Sequence, residues 1–528
     1  MNHSINNSEL SMSFRYGIDS LTVGIIQQIL SGDIKGILDE EARHKISASA
    51  TEVDVMAAGD KSVYGINTGF GPLCNTRISP ENTVLLQRKI LLSHSVGVGN
   101  PISTDLARIM MILKVHALAQ GYSGVSLNVI ERIVWHIQTG IVSYVPEQGS
   151  VGASGDLAPL SHLFLPLLGE GKLWYEDQWQ ASAKVLQKFD LAPVTLAAKD
   201  GLGLINGTQF IAAHAVQLVA KLHNCLNHAD IIGAMMIEGL QGSQMPFYQG
   251  LHQLRPYKGN LHVAHRIYHL LGGSEIMEAH KDCDKVQDPY SLRCIPQVHG
   301  ASRNAWLHLK ESTEIEINAV TDNPIVFSRD LTVSGGNFHG QPLALPIDYA
   351  CLAASEIGNI SDRRTYLSLE GKYEGTPRLL LEKAGLDSGF MILQYTSAAL
   401  ASENKGLCMP ASADSIPTSM GQEDHVSMGS IGGRKALKVV ENLEKILAIE
   451  LLCAAQAFDF RAPLKSSPII EAMHAQVRKS IAHAAEDRIF GDDIEKALNI
   501  IQTQELIPYL HAENQSISSP YDELFEIY

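Results

Sequence analysis

Three long stretches with the helical repeat constrain the fold of this chain more than any other feature. The first begins at Ser103 or Thr104 and ends before Gly121, and the others cover about 208–238 and 435–460. Their apolar stripes are Leu106, Ile109, Met110, Leu113 and Ala117; Ile211, Ala215, Leu218, Leu222 and Cys225; and Val440, Leu443, Leu447 and Leu451. Helices of this length bury such stripes against each other, so the pattern predicts a bundle of long helices.

Strand signals are few and short. Residues 171–180 and 325–333 each contain two β-prone segments separated by a polar turn, which predicts two hairpins. The expected fold class is therefore mainly α, with a few short hairpins attached to the helical body.

Composition limits the partners that the protein can have. Charged residues make up 19% of the 528 residues, below the roughly 25% of an average soluble protein, which favours an oligomer with much of its surface covered. The formal net charge of −16 disfavours binding to nucleic acid or to anionic lipid. Neither a secretory signal nor a membrane-spanning apolar segment is recognisable, so we expect a cytoplasmic protein.

Several familiar catalytic patterns are absent from the sequence. Ser154 lacks the G-x-S-x-G spacing of a hydrolase, and neither a dinucleotide-binding nor a phosphate-binding glycine motif occurs. The seven cysteines never form C-x-x-C. His265 and His269 share a helical face near His262, but the zincin pattern needs a glutamate where Arg266 stands, so no metal site is expected.

Glycine-rich segments at 64–71, 148–156 and 335–340 predict loops with unusual backbone conformations. Within the second loop, Ala153, Ser154 and Gly155 have a specific chemical capability. Attack of the Gly155 amide nitrogen on the Ala153 carbonyl, with loss of two waters, one of them from the Ser154 side chain, would yield a methylidene-imidazolone ring. Such a ring is a strong electrophile, which ordinary side chains do not provide.

The run at 145–162 around this tripeptide resembles the signature of the aromatic amino acid lyase family. Further segments resemble the family in the same order along the chain: 64–71, 204–209, 286–297, 321–324, 335–340 and 422–428. The resemblance implies a helical homotetramer whose active sites are assembled from loops of more than one subunit. It also implies that the methylidene-imidazolone is the cofactor and that no external one is needed. We place a domain boundary near residue 205, between an N-terminal domain (1–205) with the lid loop and the cofactor precursor and a helical bundle (206–528).

Residues at the position of the substrate ring favour the histidine branch of the family. Where aryl-specific relatives usually carry glutamine, this chain has Glu423, and His94 follows Ser93. A carboxylate can accept a hydrogen bond from an imidazole N–H, whereas a phenyl ring would leave a buried Glu423 unpaired at a cost of about 1–3 kcal/mol. The expected reaction is elimination of ammonia from L-histidine to give trans-urocanate.

The resemblance also assigns roles to the other site residues. Arg293 would bind the substrate carboxylate, Tyr64 would take the β-proton, and Tyr290 would serve the amine or orient the adduct. Asn206 would bond the ring carbonyl or the substrate carboxylate. Gln287 and Phe338 would position the substrate and pack against its ring. Simpler roles are a surface ion pair for Arg293 and a helix N-cap for Asn206.

Two alternatives to the histidine reaction stay open. His299 and Ile295 replace residues that are frequent in the histidine branch, and they lean towards a tyrosine or phenylalanine ammonia-lyase or an aminomutase. A catalytically silent homologue that only binds a partner is the other alternative.

Overall fold

The computed structural model describes residues 13–69, 71, 75–282, 285–511 and 518–528, and these residues are mainly helical. The helices of the first half are α1 (Val23–Ser31), α2 (Glu40–Ala58), α3 (Pro80–His94), α4 (Thr104–Ala119), α5 (Leu127–Thr139), α6 (Leu157–Phe164), α7 (Ser182–Lys188), α8 (Asp200–Ile205), α9 (Gln209–Gly239), α10 (Gln249–Gln253) and α11 (Lys258–Leu270). Those of the second half are α12 (Glu275–Ala279), α13 (Tyr290–Arg293), α14 (Ile295–Glu316), α15 (Gln341–Ser368), α16 (Met391–Leu407), α17 (Gly429–Asp459), α18 (Pro468–Ser480), α19 (Phe490–Gln502) and α20 (Asp522–Phe525). The predicted mainly α class is confirmed.

Four two-stranded sheets accompany the helices. The strands are β1 (Ser13–Arg15), β2 (Lys35–Ile37), β3 (Val98–Pro101), β4 (Pro146–Gln148), β5 (Lys172–Tyr175), β6 (Gln178–Ala181), β7 (Ile325–Ser328) and β8 (Leu331–Val333). β1 and β2 are parallel, and the other pairs, β3–β4, β5–β6 and β7–β8, are antiparallel. Both predicted hairpins are confirmed, as β5–β6 and β7–β8.

Long helices α9, α14, α15 and α17 pack along one another and form the centre of the molecule. Nearly every residue of α9 is buried, and one continuous apolar core extends from Phe14 to Phe525. The indole of Trp306 lies inside it and donates to the carbonyl of Val219 at 2.8 Å.

The predicted helices agree with α4, α9 and α17. Ser103 caps α4 by accepting from the amide of Leu106 at 3.2 Å. α17 begins at Gly429 rather than near Lys435, because Gly429, Gly432 and Gly433 are part of the helix. A Cβ on Gly433 would lie 2.7 Å from the Cβ of His214, so glycine allows α17 to approach α9 closely.

Three loops meet where α9 and α17 begin. The loop after β4 contacts the start of α17, since Met428 N donates to Val151 O at 3.0 Å and the Ser430 hydroxyl donates to Ser150 O at 2.6 Å. The link between α8 and α9 lies on the other side of the same loop, through Asp156 N and Gly207 O at 2.8 Å. The fold thus brings the Ala153–Gly155 loop to the helix N-termini at one end of the bundle.

No helix among the described residues is long and apolar enough to cross a membrane. Four of the five described cysteines are buried and Cys294 is half-buried, all as free thiols, while Cys74 and Cys283 lie outside the described residues. The domain boundary near residue 205 falls between α8 and α9 and stays a prediction.

Candidate active site

Ala153, Ser154 and Gly155 lie in a tight turn. Ser154 and Gly155 are consecutive left-handed residues, with φ of 52° and 82°. A Cβ on Gly155 would lie 2.1 Å from the carbonyl oxygen of Gly207, so only glycine can occupy this position. The curled backbone and the lack of a side chain at 155 fit the requirements of the cyclisation.

The α8–α9 link holds the turn from one side. Gly207 N and the Asn206 side-chain amide both donate to the carbonyl oxygen of Ser154, each at 3.3 Å. The N-cap alternative for Asn206 is wrong, because Thr208 precedes α9 and Asn206 ends α8. Asn206 is 4% exposed, and its side chain is directed at the oxygen that the predicted ring would keep as its carbonyl.

Asp156 connects the turn to the first turn of α9. Its Oδ2 accepts from the amides of Phe210 and Ile211, both at 3.0 Å, and its Oδ1 accepts from the Ser150 hydroxyl at 3.2 Å. Burial raises the pKa of Asp156 to about 7, and these hydrogen bonds oppose the increase. Sequence reasoning did not single out Asp156, although a carboxylate directly after the tripeptide was a signal for it.

Glu423 reaches the turn from the segment before α17. Its Oε1 accepts from the Ser154 hydroxyl, and its Oε2 accepts from the hydroxyls of Ser419 at 2.6 Å and Thr418 at 3.1 Å. Glu423 is half-buried and hydrogen-bonded, so it is not the buried, unpaired carboxylate on which the argument against a phenyl ring relied. Thr418 and Ser419 were missed, since no motif marks them.

His94 lies at the end of α3 and close enough to Glu423 to feel its charge. Burial lowers the pKa of His94, while the Glu423 carboxylate acts in the opposite direction. Its Nδ1 lies 3.0 Å from the Ser93 hydroxyl. The structure therefore places His94 near the Ser154–Glu423 pair, as a largely neutral imidazole at neutral pH.

Phe338 and Tyr64 lie on two further loops. The loop of Phe338 packs on the Glu423 segment, because the His339 ring stacks on His425 at 6.0 Å and His339 Nε2 lies 3.1 Å from the carbonyl oxygen of His425. The Tyr64 hydroxyl accepts from the amide of Gly71 at 3.3 Å, within a loop whose Phe70 lies outside the described residues. Both aromatic side chains are half-buried.

Gln287, Tyr290 and Arg293 form a second, separate cluster. Arg293 Nη2 donates to Gln287 Oε1 at 3.0 Å, and the guanidinium lies 4.6 Å from the centre of the Tyr290 ring. Tyr290 is 71% exposed. Among the described residues, none of the hydrogen bonds, ion pairs or ring contacts of this cluster reaches Ser154, and Arg293 makes no ion pair with a carboxylate. The surface ion pair suggested as its simple role is therefore not found in that part of the chain.

The histidine pair on α11 does not surround a common point. The ring centres of His265 and His269 lie 4.1 Å apart with the rings tilted by 37°, and His269 Nδ1 lies 2.7 Å from the carbonyl oxygen of His265. The described residues contain no group of three or more His, Cys, Asp or Glu side chains that could hold a metal ion.

Comparison with known proteins decides the family. The family model for aromatic amino acid lyases matches residues 21–479. The chain belongs to the aromatic amino acid lyase family. Lyases of this family use an electrophile that the chain makes from itself.

Relatives of this lyase include histidine ammonia-lyases and a tyrosine aminomutase. It is 48% identical to the histidine ammonia-lyase of Sorangium cellulosum, over 88% of this chain and 93% of the relative. The structure superposes on histidine ammonia-lyase from Trypanosoma cruzi with a TM-score of 0.88 at 38% identity, covering 98% of each chain. Tyrosine aminomutase from Streptomyces globisporus gives a TM-score of 0.89 at 32% identity, over 94% of this chain and 98% of the other.

His299, whose identity leaned towards the aryl-specific lyases, has a structural environment in this lyase. It is fully buried, with Nδ1 at 2.7 Å from Asp230 Oδ1 and Nε2 at 3.4 Å from the Arg364 guanidinium. These two partners lie on the long central helices, Asp230 on α9 and Arg364 on α15. His299 therefore gives no support to an aryl substrate through contact with the Ser154 cluster.

Proposed function

We propose that this lyase is a histidine ammonia-lyase, which converts L-histidine to trans-urocanate and ammonia. The observation that carries the proposal is the carboxylate of Glu423 at the hydroxyl of Ser154. Identity of 44–48% to histidine ammonia-lyases over most of the chain supports it.

The carboxylate of Glu423 becomes available through the cyclisation itself. Loss of the Ser154 hydroxyl as water removes the donor from Oε1, while Ser419 and Thr418 keep holding Oε2. The vacated oxygen then accepts a hydrogen bond from an imidazole N–H of the substrate. His94, close to Glu423, would bond the other ring nitrogen.

The methylidene-imidazolone formed from Ala153, Ser154 and Gly155 would supply an electrophilic carbon that captures the substrate amine and turns it into a better leaving group. Asn206 and Gly207 would hold the carbonyl oxygen of Ser154. Arg293 would bind the substrate carboxylate through two parallel hydrogen bonds. Tyr64 would take the β-proton, Tyr290 would orient the amine, and Gln287 and Phe338 would complete the pocket.

The two clusters meet, in our proposal, between subunits of a homotetramer. Arg293, Gln287 and Tyr290 of one subunit would complete the Ser154 cluster of another. Exposed apolar side chains on α15 and the neighbouring α16 support an extensive interface: Leu345, Tyr349, Leu352, Tyr366, Ile392 and Tyr395. Assembly would cover these residues, which agrees with the low content of charged residues.

Side-by-side assays with histidine, tyrosine and phenylalanine test the substrate. We expect a urocanate absorbance from histidine and an intact mass two waters below the translated sequence. Ser154→Ala should retain full mass and have no lyase activity. Faster turnover of tyrosine, or a β-amino product, would assign the protein to the aryl lyases or aminomutases instead. Full mass in the purified wild-type protein would favour a silent homologue.

Co-expression of two inactive variants tests the shared site. Ser154→Ala lacks the electrophile and Arg293→Ala lacks the anchor, so hybrid tetramers would contain some sites with both intact groups, about a quarter if subunits mix at random. Activity in the mixture, with none in either variant alone, is the expected result. Complete inactivity of a mixed tetramer would mean that both groups act from the same subunit.

A further inference from the structure

Lys114 is a buried cation that the reaction described above does not use. It lies on α4 and is 1% exposed. Its Nζ donates to the carbonyl oxygens of Gly203 at 3.1 Å and Asn206 at 2.8 Å. Lys199 is also fully buried, but besides two main-chain carbonyls it has a carboxylate partner, Asp322, at 2.9 Å. Both hydrogen-bond partners of Lys114 are main-chain carbonyls, which places its positive charge directly against the link between α8 and α9.

That link is the part of the chain that holds the tripeptide. Its Asn206–Gly207 peptide group has Lys114 at its oxygen and Ser154 O at its N–H. Gly207 has φ of 133°, and a Cβ there would lie 3.2 Å from Lys114 Nζ and 2.6 Å from Gln209 Oε1. Glycine therefore lets the peptide lie between the lysine and the turn.

A cation at one end of a peptide group changes the other end. A charge-assisted hydrogen bond to the carbonyl oxygen draws electron density from the amide nitrogen, so the N–H becomes a stronger donor. Here that N–H belongs to Gly207 and donates to the Ser154 carbonyl oxygen. This oxygen survives the cyclisation, since the two waters take the Ala153 carbonyl oxygen and the Ser154 hydroxyl. It is then conjugated with the methylidene carbon, and withdrawing electrons from it makes that carbon more electrophilic.

We propose that Lys114 is a positioning residue for the electrophile, which fixes and polarises the Asn206–Gly207 peptide against the carbonyl oxygen of Ser154. The inference rests on the proposed function, because it concerns the ring formed from the same tripeptide.

The surrounding charges are compatible with a buried ammonium at this position. Burial lowers the pKa of Lys114 to about 7, the carboxylates of Asp322 and Asp156 oppose this shift, and Lys199 adds to it. Asp322, which is already paired with Lys199, opposes the shift more strongly than Asp156 does, so both carboxylates favour the ammonium form of Lys114.

The test compares Lys114→Met with the wild-type protein by three measurements. Intact mass reports whether both waters are lost, the near-ultraviolet absorbance reports the conjugated ring, and the rate of cyanide addition reports its reactivity. Cyanide has neither a carboxylate nor an imidazole, so its capture does not depend on the substrate-binding residues. We expect full or partial retention of the waters, or a shifted absorbance with capture slowed roughly tenfold. For histidine, kcat should fall more than KM rises.

Two matched variants give the comparison its meaning. Lys114→Arg keeps the charge and should recover part of the capture rate. His116→Gln removes another buried polar side chain of α4, one that contacts Gly17 and Asn318 instead, and it should capture cyanide at the wild-type rate.

A folded Lys114→Met protein that has lost both waters, absorbs like wild type and captures cyanide at the wild-type rate would overturn the proposal. If Lys114→Met does not fold, Lys114→Gln is measured in its place, and the same readouts decide. A wild-type protein that keeps its full mass and captures no cyanide would instead overturn the proposed function.

Discussion

Replacing Glu423 by glutamine changes one charge at the point where the substrate ring is recognised. The exchange disturbs little else, since the Ser419 and Thr418 hydroxyls can turn to accept from a side-chain NH₂ as readily as they donate to Oε2. What is lost is the charge on the acceptor: the glutamine oxygen still accepts from the imidazole N–H, but a neutral hydrogen bond is weaker than one to a carboxylate by about 1–1.5 kcal/mol. We expect kcat/KM for histidine to fall roughly 5- to 12-fold.

The assay measures kcat/KM for histidine and for phenylalanine on the same preparations, with intact mass as a check on ring formation. The phenyl ring of phenylalanine has no hydrogen-bond donor for Glu423, so any turnover of phenylalanine should stay unchanged or rise. Asp424→Asn is the matched control, because Asp424 is the neighbouring, exposed acid. A loss for histidine below threefold, or an equal loss for both substrates, would refute the role of Glu423 in ring recognition.

Further predictions concern the turn, the anchor and the core. Gly155→Ala should fold but retain its full mass and be inactive, because the new Cβ would overlap Gly207 O; mass spectrometry checks this, and a mass two waters lower would contradict it. Arg293→Lys should raise KM for histidine about tenfold or more, since one ammonium cannot pair with a carboxylate in the manner of a guanidinium fork, and steady-state kinetics decide. Burial lowers the pKa values of His136, His214 and His228 to about 4. Between about pH 6.5 and pH 4 these histidines are therefore protonated in the unfolded chain but neutral in the folded one. As the pH falls through that window, the free energy of unfolding should decrease by up to about 1.4 kcal/mol per pH unit for each histidine. Urea titrations at pH 7.5 and 5.5 would detect the loss, and equal midpoints would contradict it.

Helical periodicity predicted the elements whose apolar face is clear. α4 and α9 came directly from their stripes, but α15 was not predicted, although it is central to the bundle. It buries one face and exposes Leu345, Tyr349 and Leu352 on another, and it contains Pro346. A helix with apolar residues on two faces does not show the 3.6-residue period clearly. The sequence alone does not tell whether an apolar face packs against the core or lies on the surface.

The sequence predicted only those site residues that lie in a recognisable motif. Ser154 and Glu423 are 269 residues apart, and no periodicity relates them. The family resemblance predicted that both belong to the active site, and the structure shows the hydrogen bond between them. Lys114 had a usable signal, since a lysine stands among the apolar residues of the α4 stripe, next to Leu113. Such a residue is buried only if it has partners, and those partners, the carbonyls of Gly203 and Asn206, are not visible in sequence.

The charge at the Ser154 cluster predicts that activity depends on assembly. Among the described residues, the hydrogen bonds of Ser154 go to Glu423, Asn206 and Gly207, and none of these is a cation. Nearby His94 is largely neutral, because burial lowers its pKa. A substrate carboxylate entering this cluster alone would meet the Glu423 carboxylate, while Lys114 is buried behind the Asn206–Gly207 peptide and already donates to main-chain carbonyls. If Arg293 of another subunit supplies the compensating charge, dilution or mild urea that separates subunits should abolish turnover while the mass stays two waters low and cyanide capture persists. Light scattering beside the activity assay makes the comparison, and a separated subunit that still converts histidine would show that the cation comes from its own chain.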